Sequence, residues 1–264
     1  MASKVVLITG ANTGIGFQIV RALCSSSHAY DIVVGGRSED KVQAAIEAAR
    51  TEYPETKSKL SPVQIDIESD ESINRAFNTV ESQFGKIDVL VNNAGAQFDQ
   101  LAKEGKLSER EAWNQSWNVN TSGTQVMTTT FIPLLLQSSD PRLLFITSGT
   151  STLAGSENQA LAVNKYPPKG WPKSGFGVPA YRSAKTGMNM LMREWHKLLH
   201  EDDVKVFAIS PGFLATGLGG NTEMLKKMGG GDPEIAGPFI KSVIEGERDA
   251  DAGKVITKDG IQPW

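Results

Sequence analysis

Short apolar runs alternate with longer amphipathic stretches along most of the chain. The apolar runs are nearly continuous in Val, Ile and Leu, which is typical of strands buried on both faces of a parallel sheet. They lie at residues 5–9, 32–36, 60–65, 89–92, 143–147, 205–210 and, more weakly, 254–257. The stretches between them predict helices at residues 16–26, 38–53, 69–84, 109–136 and 181–200.

This alternation predicts an α/β fold: one doubly wound, Rossmann-like domain, with a seven-stranded, mostly parallel sheet flanked by helices on both faces. The 264 residues, with 39% hydrophobic and 22% charged positions, suit one globular domain spanning residues 1–264. In such sheets ligands bind beyond the carboxyl ends of the strands. Functional residues are therefore expected where strands run into helices.

Charge and composition exclude several classes of partner. The net charge is −3 and no basic stripe is visible, so no nucleic-acid partner is expected. The apolar runs are too short to span a bilayer, so no membrane partner is expected either. Cys24 is the only cysteine, and the first strand leaves no room for a signal peptide before it. These features predict a cytoplasmic protein.

The first strand-to-helix junction reads Thr-Gly-Ala-Asn-Thr-Gly-Ile-Gly over residues 9–16. Glycines allow a tight turn and a close approach of the backbone, and the start of the next helix offers free N–H groups to a pyrophosphate. A plain glycine-rich turn is the alternative interpretation. The position between the first strand and the first helix of an alternating chain favours a dinucleotide site.

The second strand ends at Arg37 and Ser38 without an acidic residue. An acid at this position holds the ribose hydroxyl of NAD, whereas an arginine accommodates the 2′-phosphate of NADP. Arg37 can bind a phosphate with two hydrogen bonds, and Ser38 adds a hydroxyl. Glu39 and Asp40 are predicted to belong to the next helix. The junction therefore predicts NADP(H); a surface arginine with no ligand is the alternative.

Tyr181 and Lys185 are four positions apart, which on a helix places both on one face. A tyrosine has an ordinary pKa near 10, and a neighbouring ammonium lowers it toward the range useful for acid–base catalysis. The pair is a candidate for proton transfer. Taken alone, the same spacing also occurs in amphipathic surface helices.

The spacing Gly-x-x-x-Gly-x-Gly, the Asn-Asn-Ala-Gly at residues 92–95 and the Tyr-x-x-x-Lys resemble the short-chain dehydrogenase/reductase family. The resemblance runs in order over residues 5–217 and implies a catalytic tetrad of Asn120, Ser148, Tyr181 and Lys185. Ser148 would hydrogen-bond the substrate oxygen, and Asn120 would hold a water that connects Lys185 to solvent. It also implies a homodimer or homotetramer.

The resemblance further implies cofactor contacts after each strand. Asp66 would lie beside the adenine, although an acid there also suits a helix cap. Together with Arg37 and Ser38, the predicted cofactor contacts are Gly10, Asn12, Thr13, Gly14, Ile15, Gly16, Asp66, Ile67, Asn92, Asn93, Ala94, Gly95, Tyr181, Lys185, Pro211, Gly212, Phe213, Leu214 and Thr216.

Two segments depart from the family or vary within it. Residues 151–180 contain several Pro and Gly, show no periodicity and predict a long substrate-side loop. Residues 213–232 predict a lid-like segment. Tyr166 of the loop is a further candidate wall for an apolar substrate. The loop could also be a flap that covers nothing, or could dock on another subunit. The predicted substrate pocket consists of Phe98, Ser148, Trp171, Phe176 and Tyr181.

These features predict an NADP(H)-dependent ketoreductase for a bulky, fairly apolar small molecule, such as a polyketide, terpenoid or aromatic ketone. The alternatives are an imine reductase or a non-redox, cyclising enzyme on the same scaffold, and a non-catalytic NADP(H) sensor. His196 and His200 have a spacing that can bind a metal, but a third ligand would be needed, so no metal is predicted.

Overall fold

A computed structural model describes residues 3–173, 177–219 and 222–264. Within these residues one sheet has the strand order β3-β2-β1-β4-β5-β6-β7-β8. The strands are β1 (Lys4–Ile8), β2 (Tyr30–Gly36), β3 (Lys59–Gln64), β4 (Val89–Asn92), β5 (Arg142–Ile146), β6 (Lys205–Ile209), β7 (Val255–Thr257) and β8 (Gly260–Ile261). Neighbouring strands are parallel except β7 and β8. The Rossmann-like prediction is confirmed.

The predicted count of seven strands is wrong, because β8 forms an eighth strand. It has only two residues and pairs antiparallel with β7. Two residues are too few to show a hydrophobic period, so no sequence pattern marked this strand. The other seven strands begin and end within two residues of their predicted positions.

The helices cover both faces of the sheet. They are α1 (Gly14–Cys24), α2 (Glu39–Glu52), α3 (Asp70–Phe84), α4 (Asp99–Lys103), α5 (Glu109–Trp117), α6 (Gly123–Leu135), α7 (Pro179–Leu198), α8 (Thr222–Lys227) and α9 (Ala236–Ile244). Side chains of a strand alternate between faces. Val6 and Ile8 of β1 pack with α1, α2 and α9, while Val5 and Leu7 pack with α3, α6 and α7.

The single helix predicted at residues 109–136 is interrupted by a π-helical turn at Asn118–Ser122, between α5 and α6. The side-chain amide of Asn120 donates a hydrogen bond to the carbonyl of Ser116, one turn earlier, at 2.8 Å. Just beyond the turn, a Cβ on Gly123 would collide with the carbonyl oxygen of Ile67, so the helix lies against the loop after β3. Such π turns are frequent at functional sites.

In the described part of the segment at residues 151–180, Ala154–Glu157 and Ala162–Asn164 form single turns of 3-10 helix. The Arg182 guanidinium of α7 donates hydrogen bonds to the carbonyls of Thr150 and Val163, at 2.9 and 3.2 Å. Part of the long loop is thereby fixed to α7. Among the described residues, no helix is long and apolar enough to cross a membrane.

Candidate active site

A cavity of about 860 Å³ lies at the carboxyl ends of the parallel strands, over the point where the strand order reverses between β1 and β4. Its size is within the range of ligand sites. The predicted residues that line it are Gly10, Asn12, Thr13, Gly14, Ile15, Arg37, Ser38, Asp66, Ile67, Asn93, Ala94, Gly95, Phe98, Tyr181, Lys185 and Thr216. The fold thus brings the predicted dinucleotide site, with Arg37, and the predicted proton-transfer pair, Tyr181 and Lys185, into one cavity.

The glycine loop after β1 forms part of one side of the cavity. Gly10 and Gly14 have φ angles of +61° and +55°, a region that favours glycine. Thr13 precedes α1 without capping it through its side chain, and the first turn of α1 contains no acid. The N–H groups and the positive end of α1 are therefore available to an anion in the cavity.

Two predicted cofactor contacts serve packing instead. Gly16 does not line the cavity: a Cβ there would collide with the carbonyl oxygen of Gly10, so Gly16 lets the loop close on α1. Asn92 is buried, and its amide donates to the Thr128 hydroxyl of α6 at 3.0 Å. Its neighbour Asn93 lines the cavity and donates to the carbonyls of Thr9 and Gly10 at 2.8 and 3.1 Å.

The junction after β2 is basic on the cavity side. The Arg37 side chain is 74% exposed and lies 3.8 Å from a carboxylate oxygen of Glu68. Ser38 caps α2 by accepting a hydrogen bond from the N–H of Lys41. Lys41 also lines the cavity and is a second cation beside Arg37 that sequence reasoning missed. The sequence does indicate Lys41, because this residue lies in the first turn of α2, three positions after Ser38.

Asp66 lies in the loop between β3 and α3 and lines the cavity. Its carboxylate accepts a hydrogen bond from the N–H of Glu68 at 3.1 Å. The residue that caps α3 is Ser69, so the alternative interpretation of Asp66 as the helix cap is wrong. Asp66 is therefore not used as the cap of α3 and lies at the cavity wall.

Tyr181, Lys185 and Ser148 meet at the other end of the cavity. The Lys185 ammonium nitrogen is 5.9 Å from the centre of the Tyr181 ring and donates to the carbonyl of Ile146 at 2.8 Å. Ser148 is close enough to the Tyr181 phenol to act on its pKa, and its hydroxyl bonds the Thr150 hydroxyl at 2.9 Å. A phenol, an ammonium and a hydroxyl gathered at one end of the cavity are groups that can move a proton.

The pKa values of this pair differ from the sequence expectation. Burial raises the pKa of Tyr181 to about 12, while the hydrogen bond from Ser148 acts in the opposite direction. Burial lowers the pKa of Lys185 to about 7. The expected lowering of the Tyr181 pKa by Lys185 is therefore wrong in this state. A lysine with a pKa of about 7 carries only part of its positive charge at neutral pH, and desolvation of the phenolate dominates.

Replacing Lys185 with Met is expected to change how stability depends on pH. The folded pKa is about 7 and the ordinary value is 10.5, so between these pH values the unfolded chain binds the extra proton. Stability contributed by this site therefore rises with pH from 7 to 9.5, by about 3 kcal/mol, and is lowest below pH 7. Urea denaturation without added nucleotide measures the free energy of unfolding of both proteins at pH 7 and 9.5. An unchanged difference between them at the two pH values contradicts the expectation.

Asn120 is fully buried in the π turn and does not line the cavity. Its amide donates to the Ala96 carbonyl at 2.8 Å and its oxygen accepts from the Ala96 N–H at 3.3 Å. A Cβ on Gly95 would lie 2.9 Å from the Asn120 oxygen and 3.3 Å from the Lys185 nitrogen. Gly95 therefore allows Asn120 and Lys185 to approach the loop after β4. The water-holding role of Asn120 stays a prediction.

Asp99, which the sequence analysis did not single out, fixes the start of α7. Its buried carboxylate accepts hydrogen bonds from the N–H groups of Ala180 and Tyr181 at 2.8 and 3.1 Å. Val178, at the cap position of α7, provides no side-chain bond of its own. Asp99, the first residue of α4, thus acts from far away in sequence as the cap of the helix that carries Tyr181.

The predicted substrate side is only partly assembled around the cavity. Ser148 lies against Tyr181 without lining the cavity, and Trp171 is 87% exposed and does not line it either. Phe176 lies outside the described residues. Pro211, Gly212, Phe213 and Leu214 do not line the cavity, because the chain turns toward it only at Thr216. Residues that sequence reasoning did not place in the lining include Gln115, Val119, Thr147 and Leu218.

No group of three or more His, Cys, Asp or Glu side chains among the described residues could hold a metal ion. His196 and His200 contact each other with ring centres 6.0 Å apart. The His200 ring also approaches a carboxylate oxygen of Glu201 at 3.2 Å.

Comparison with known proteins identifies the family of this chain. The sequence profile of the short chain dehydrogenase family matches residues 4–165 and 171–226. The short-chain dehydrogenase/reductase tropE of Talaromyces stipitatus is 44% identical over 267 residues, covering 99% of this chain and 98% of that protein. The short-chain dehydrogenase/reductase eupG of a Phoma species is 45% identical over 270 residues, covering 98% and 97%.

Among solved structures, the NADPH-bound carbonyl reductase from chicken fatty liver is similar over 100% of both chains, with a TM-score of 0.79 and 20% identity. That identity supports the fold alone. The profile and the two fungal relatives decide the class: the chain belongs to the short-chain dehydrogenase/reductase family of oxidoreductases.

Proposed function

We propose that this protein is an NADP(H)-dependent ketoreductase that reduces a carbonyl group of a bulky, fairly apolar small molecule, with Tyr181 as the general acid. The observation that carries the proposal is the single cavity with the glycine loop and Arg37 at one end and Tyr181 and Lys185 at the other. A dinucleotide with an extra phosphate and a carbonyl substrate match these two ends in chemistry. The similar chicken carbonyl reductase is bound to NADPH.

The residues present fit a phosphorylated dinucleotide. Positive-φ glycines, an uncapped helix start without acids, and the cations Arg37 and Lys41 all border the cavity. The start of α1 would hold the pyrophosphate, and Arg37 with Lys41 would hold the 2′-phosphate. The Glu68 carboxylate near Arg37 would orient the guanidinium rather than bind the phosphate, since it is an anion. When bound, the nicotinamide supplies the hydride that the carbonyl carbon accepts.

The side chains at the other end move the proton. With a pKa of about 12, Tyr181 keeps its proton at neutral pH and can donate it to a substrate oxygen in reduction. The Ser148 hydroxyl, which lies near the phenol, would hydrogen-bond the same oxygen as its negative charge develops. The Lys185 nitrogen lies 5.9 Å from the centre of the Tyr181 ring, so a phenolate formed there would favour the ammonium form of the lysine.

The proposal is tested by the oxidation of NADPH and NADH with ketones, aldehydes and cyclic imines of increasing size. The expected result is consumption of NADPH with bulky ketones, formation of the alcohol and a clear preference for NADPH. Turnover of imines alone would indicate an imine reductase. Tight binding of NADPH without turnover of any compound would indicate a sensor and would contradict the proposal.

A further inference from the structure

A buried polar cluster lies beneath Ser148 and joins three parts of the fold. It consists of Thr147 at the end of β5, Ser151 three positions after Ser148, Asn189 of α7 and Gln262 after β8. Each of the four is less than 10% exposed. Buried polar groups are costly unless they are hydrogen-bonded, so a cluster with this many mutual bonds fixes the positions of its members closely.

The cluster holds the main chain of Ser148. The Ser148 carbonyl accepts hydrogen bonds from the Ser151 hydroxyl at 2.6 Å, from the Ser151 N–H at 3.1 Å and from the Gln262 amide at 3.2 Å. Three donors thus converge on one carbonyl oxygen, which has two lone pairs. The Ser148 side chain, in contrast, bonds the hydroxyl and the N–H of Thr150 at 2.9 and 3.2 Å, and it is close enough to the Tyr181 phenol to act on its pKa. The cluster therefore sets the position of Ser148, and not the direction of its hydroxyl.

The Ser151 hydroxyl can donate to Ser148 because the cluster orients it. It accepts from the Asn189 amide at 2.9 Å and from the Gln262 amide at 3.4 Å, which leaves its proton for the Ser148 carbonyl. Asn189 is oriented in turn by the Thr147 hydroxyl, which donates to the Asn189 oxygen at 2.6 Å. Asn189 is four positions after Lys185, so it stands on the same face of α7 as the catalytic pair.

Gln262 enters this cluster from the edge of the sheet. Its N–H donates to the carbonyl of Val255 in β7 at 2.9 Å, which anchors the segment after β8. The carbonyl of Trp264 accepts from the N–H of Ala154 at 2.7 Å, and the Trp264 ring lies 5.8 Å from the Arg193 guanidinium. Gln262 is thus brought under the loop after Ser148 by its neighbours, and its side-chain amide reaches the Ser148 carbonyl.

We propose that Gln262 and Ser151 are positioning residues, which hold Ser148 at the distance from Tyr181 that proton transfer requires. This inference rests on the proposed function, since it assumes that Ser148 and Tyr181 act on one carbonyl oxygen. Displacement of a reacting group by about 1 Å costs as much as a hundredfold in rate. Loss of the Gln262 amide, which is one of three donors, is expected to lower kcat about tenfold.

The test compares Gln262→Ala with Trp264→Ala, using NADPH and a ketone that the protein reduces. Gln262→Ala is expected to lower kcat about tenfold, with the KM for NADPH within about twofold, because the glycine loop and Arg37 are untouched. Trp264→Ala loosens the same segment without removing a donor to Ser148, and its kcat is expected to stay within about twofold of the original protein. Equal losses of kcat in both variants would mean that Gln262 only helps the segment to dock, which overturns the inference.

Ser151→Ala is a second variant that keeps the test decisive if Gln262→Ala does not fold, and a similar loss of kcat is expected. Each change is also combined with Ser148→Ala. In that background the two substitutions are expected to have almost no further effect on kcat, because the group that they position is absent. Losses that multiply in the double variants overturn the inference.

The Ser148→Ala variant distinguishes a failure of the proposed mechanism from a failure of the positioning role. If it retains full kcat, Ser148 has no part in the reaction, and the proposed mechanism fails together with the inference. If it loses activity while Gln262→Ala and Ser151→Ala keep theirs, the proposed function stands and only the positioning role is wrong.

Discussion

Replacing Tyr181 with Phe is expected to lower kcat for ketone reduction by about a thousandfold or more, while the affinity for NADPH changes less than about twofold. The phenolic hydroxyl is the only difference between the two side chains, and general acid catalysis contributes roughly 10²–10⁴-fold. Tyr181 lines the same cavity as the glycine loop and Arg37, but it lies at the opposite end, near Ser148. The loss therefore falls on the chemical step.

Single-turnover rates with saturating NADPH measure the hydride transfer, and quenching of protein fluorescence by NADPH measures the affinity. Tyr53→Phe is the matched control, since Tyr53 ends α2 and does not line the cavity; its rates are expected to equal those of the original protein. A Tyr181→Phe variant that still turns over at a tenth of the original rate would contradict the assignment of Tyr181 as the proton donor.

Replacing Arg37 with Asp is expected to lower the ratio of kcat/KM for NADPH to that for NADH by about a hundredfold or more. A charge-assisted hydrogen bond is worth about 1.5–3 kcal/mol, and the new carboxylate both repels the 2′-phosphate of NADPH and can accept from the ribose hydroxyl of NADH. The Arg37 side chain is 74% exposed, so solvent screens part of the effect. Lys41 lines the same part of the cavity and retains some attraction for NADPH.

Initial rates with each nucleotide at one fixed concentration of ketone give both values of kcat/KM. Arg110→Asp is the matched control: it makes the same change of net charge on an exposed position of α5 that does not line the cavity. The ratio is expected to stay the same in that variant. An unchanged ratio in Arg37→Asp would show that Arg37 does not select the cofactor. A further fall in Arg37→Asp/Lys41→Ala would assign the remaining preference to Lys41.

The two ends of the candidate site could be predicted because their signals are local. Gly10 and Gly14 follow one strand directly, Arg37 follows the next, and Tyr181 and Lys185 lie one helical turn apart. Parallel strands place their carboxyl ends at one edge of the sheet, so residues after successive strands meet there without any knowledge of the contacts. The order of strands and helices follows from the hydrophobic pattern in the same way.

Packing decided what a local pattern does not contain. Gly16 and Asn92 belong to motifs whose neighbours line the cavity, yet Gly16 packs closely on the Gly10 carbonyl and the Asn92 amide bonds Thr128. Trp171 comes from a segment without periodicity, where a residue type alone cannot indicate the direction of its side chain. The pKa of Tyr181 was expected to fall because of the nearby Lys185. The structure raises it, since burial acts on both groups and a spacing in sequence contains no measure of burial.

The sequence by itself determined the class of fold, the cavity edge of the sheet and the residues that occupy its two ends, because these depend on periodicity and on junctions a few residues long. Only the tertiary structure brought Asp99 to the start of α7 and Gln262 beneath Ser148. Their partners are 81, 82 and 114 positions away along the chain. A hydrogen bond between such distant residues leaves no local pattern, since it exists only after the sheet has formed and brought its partners together.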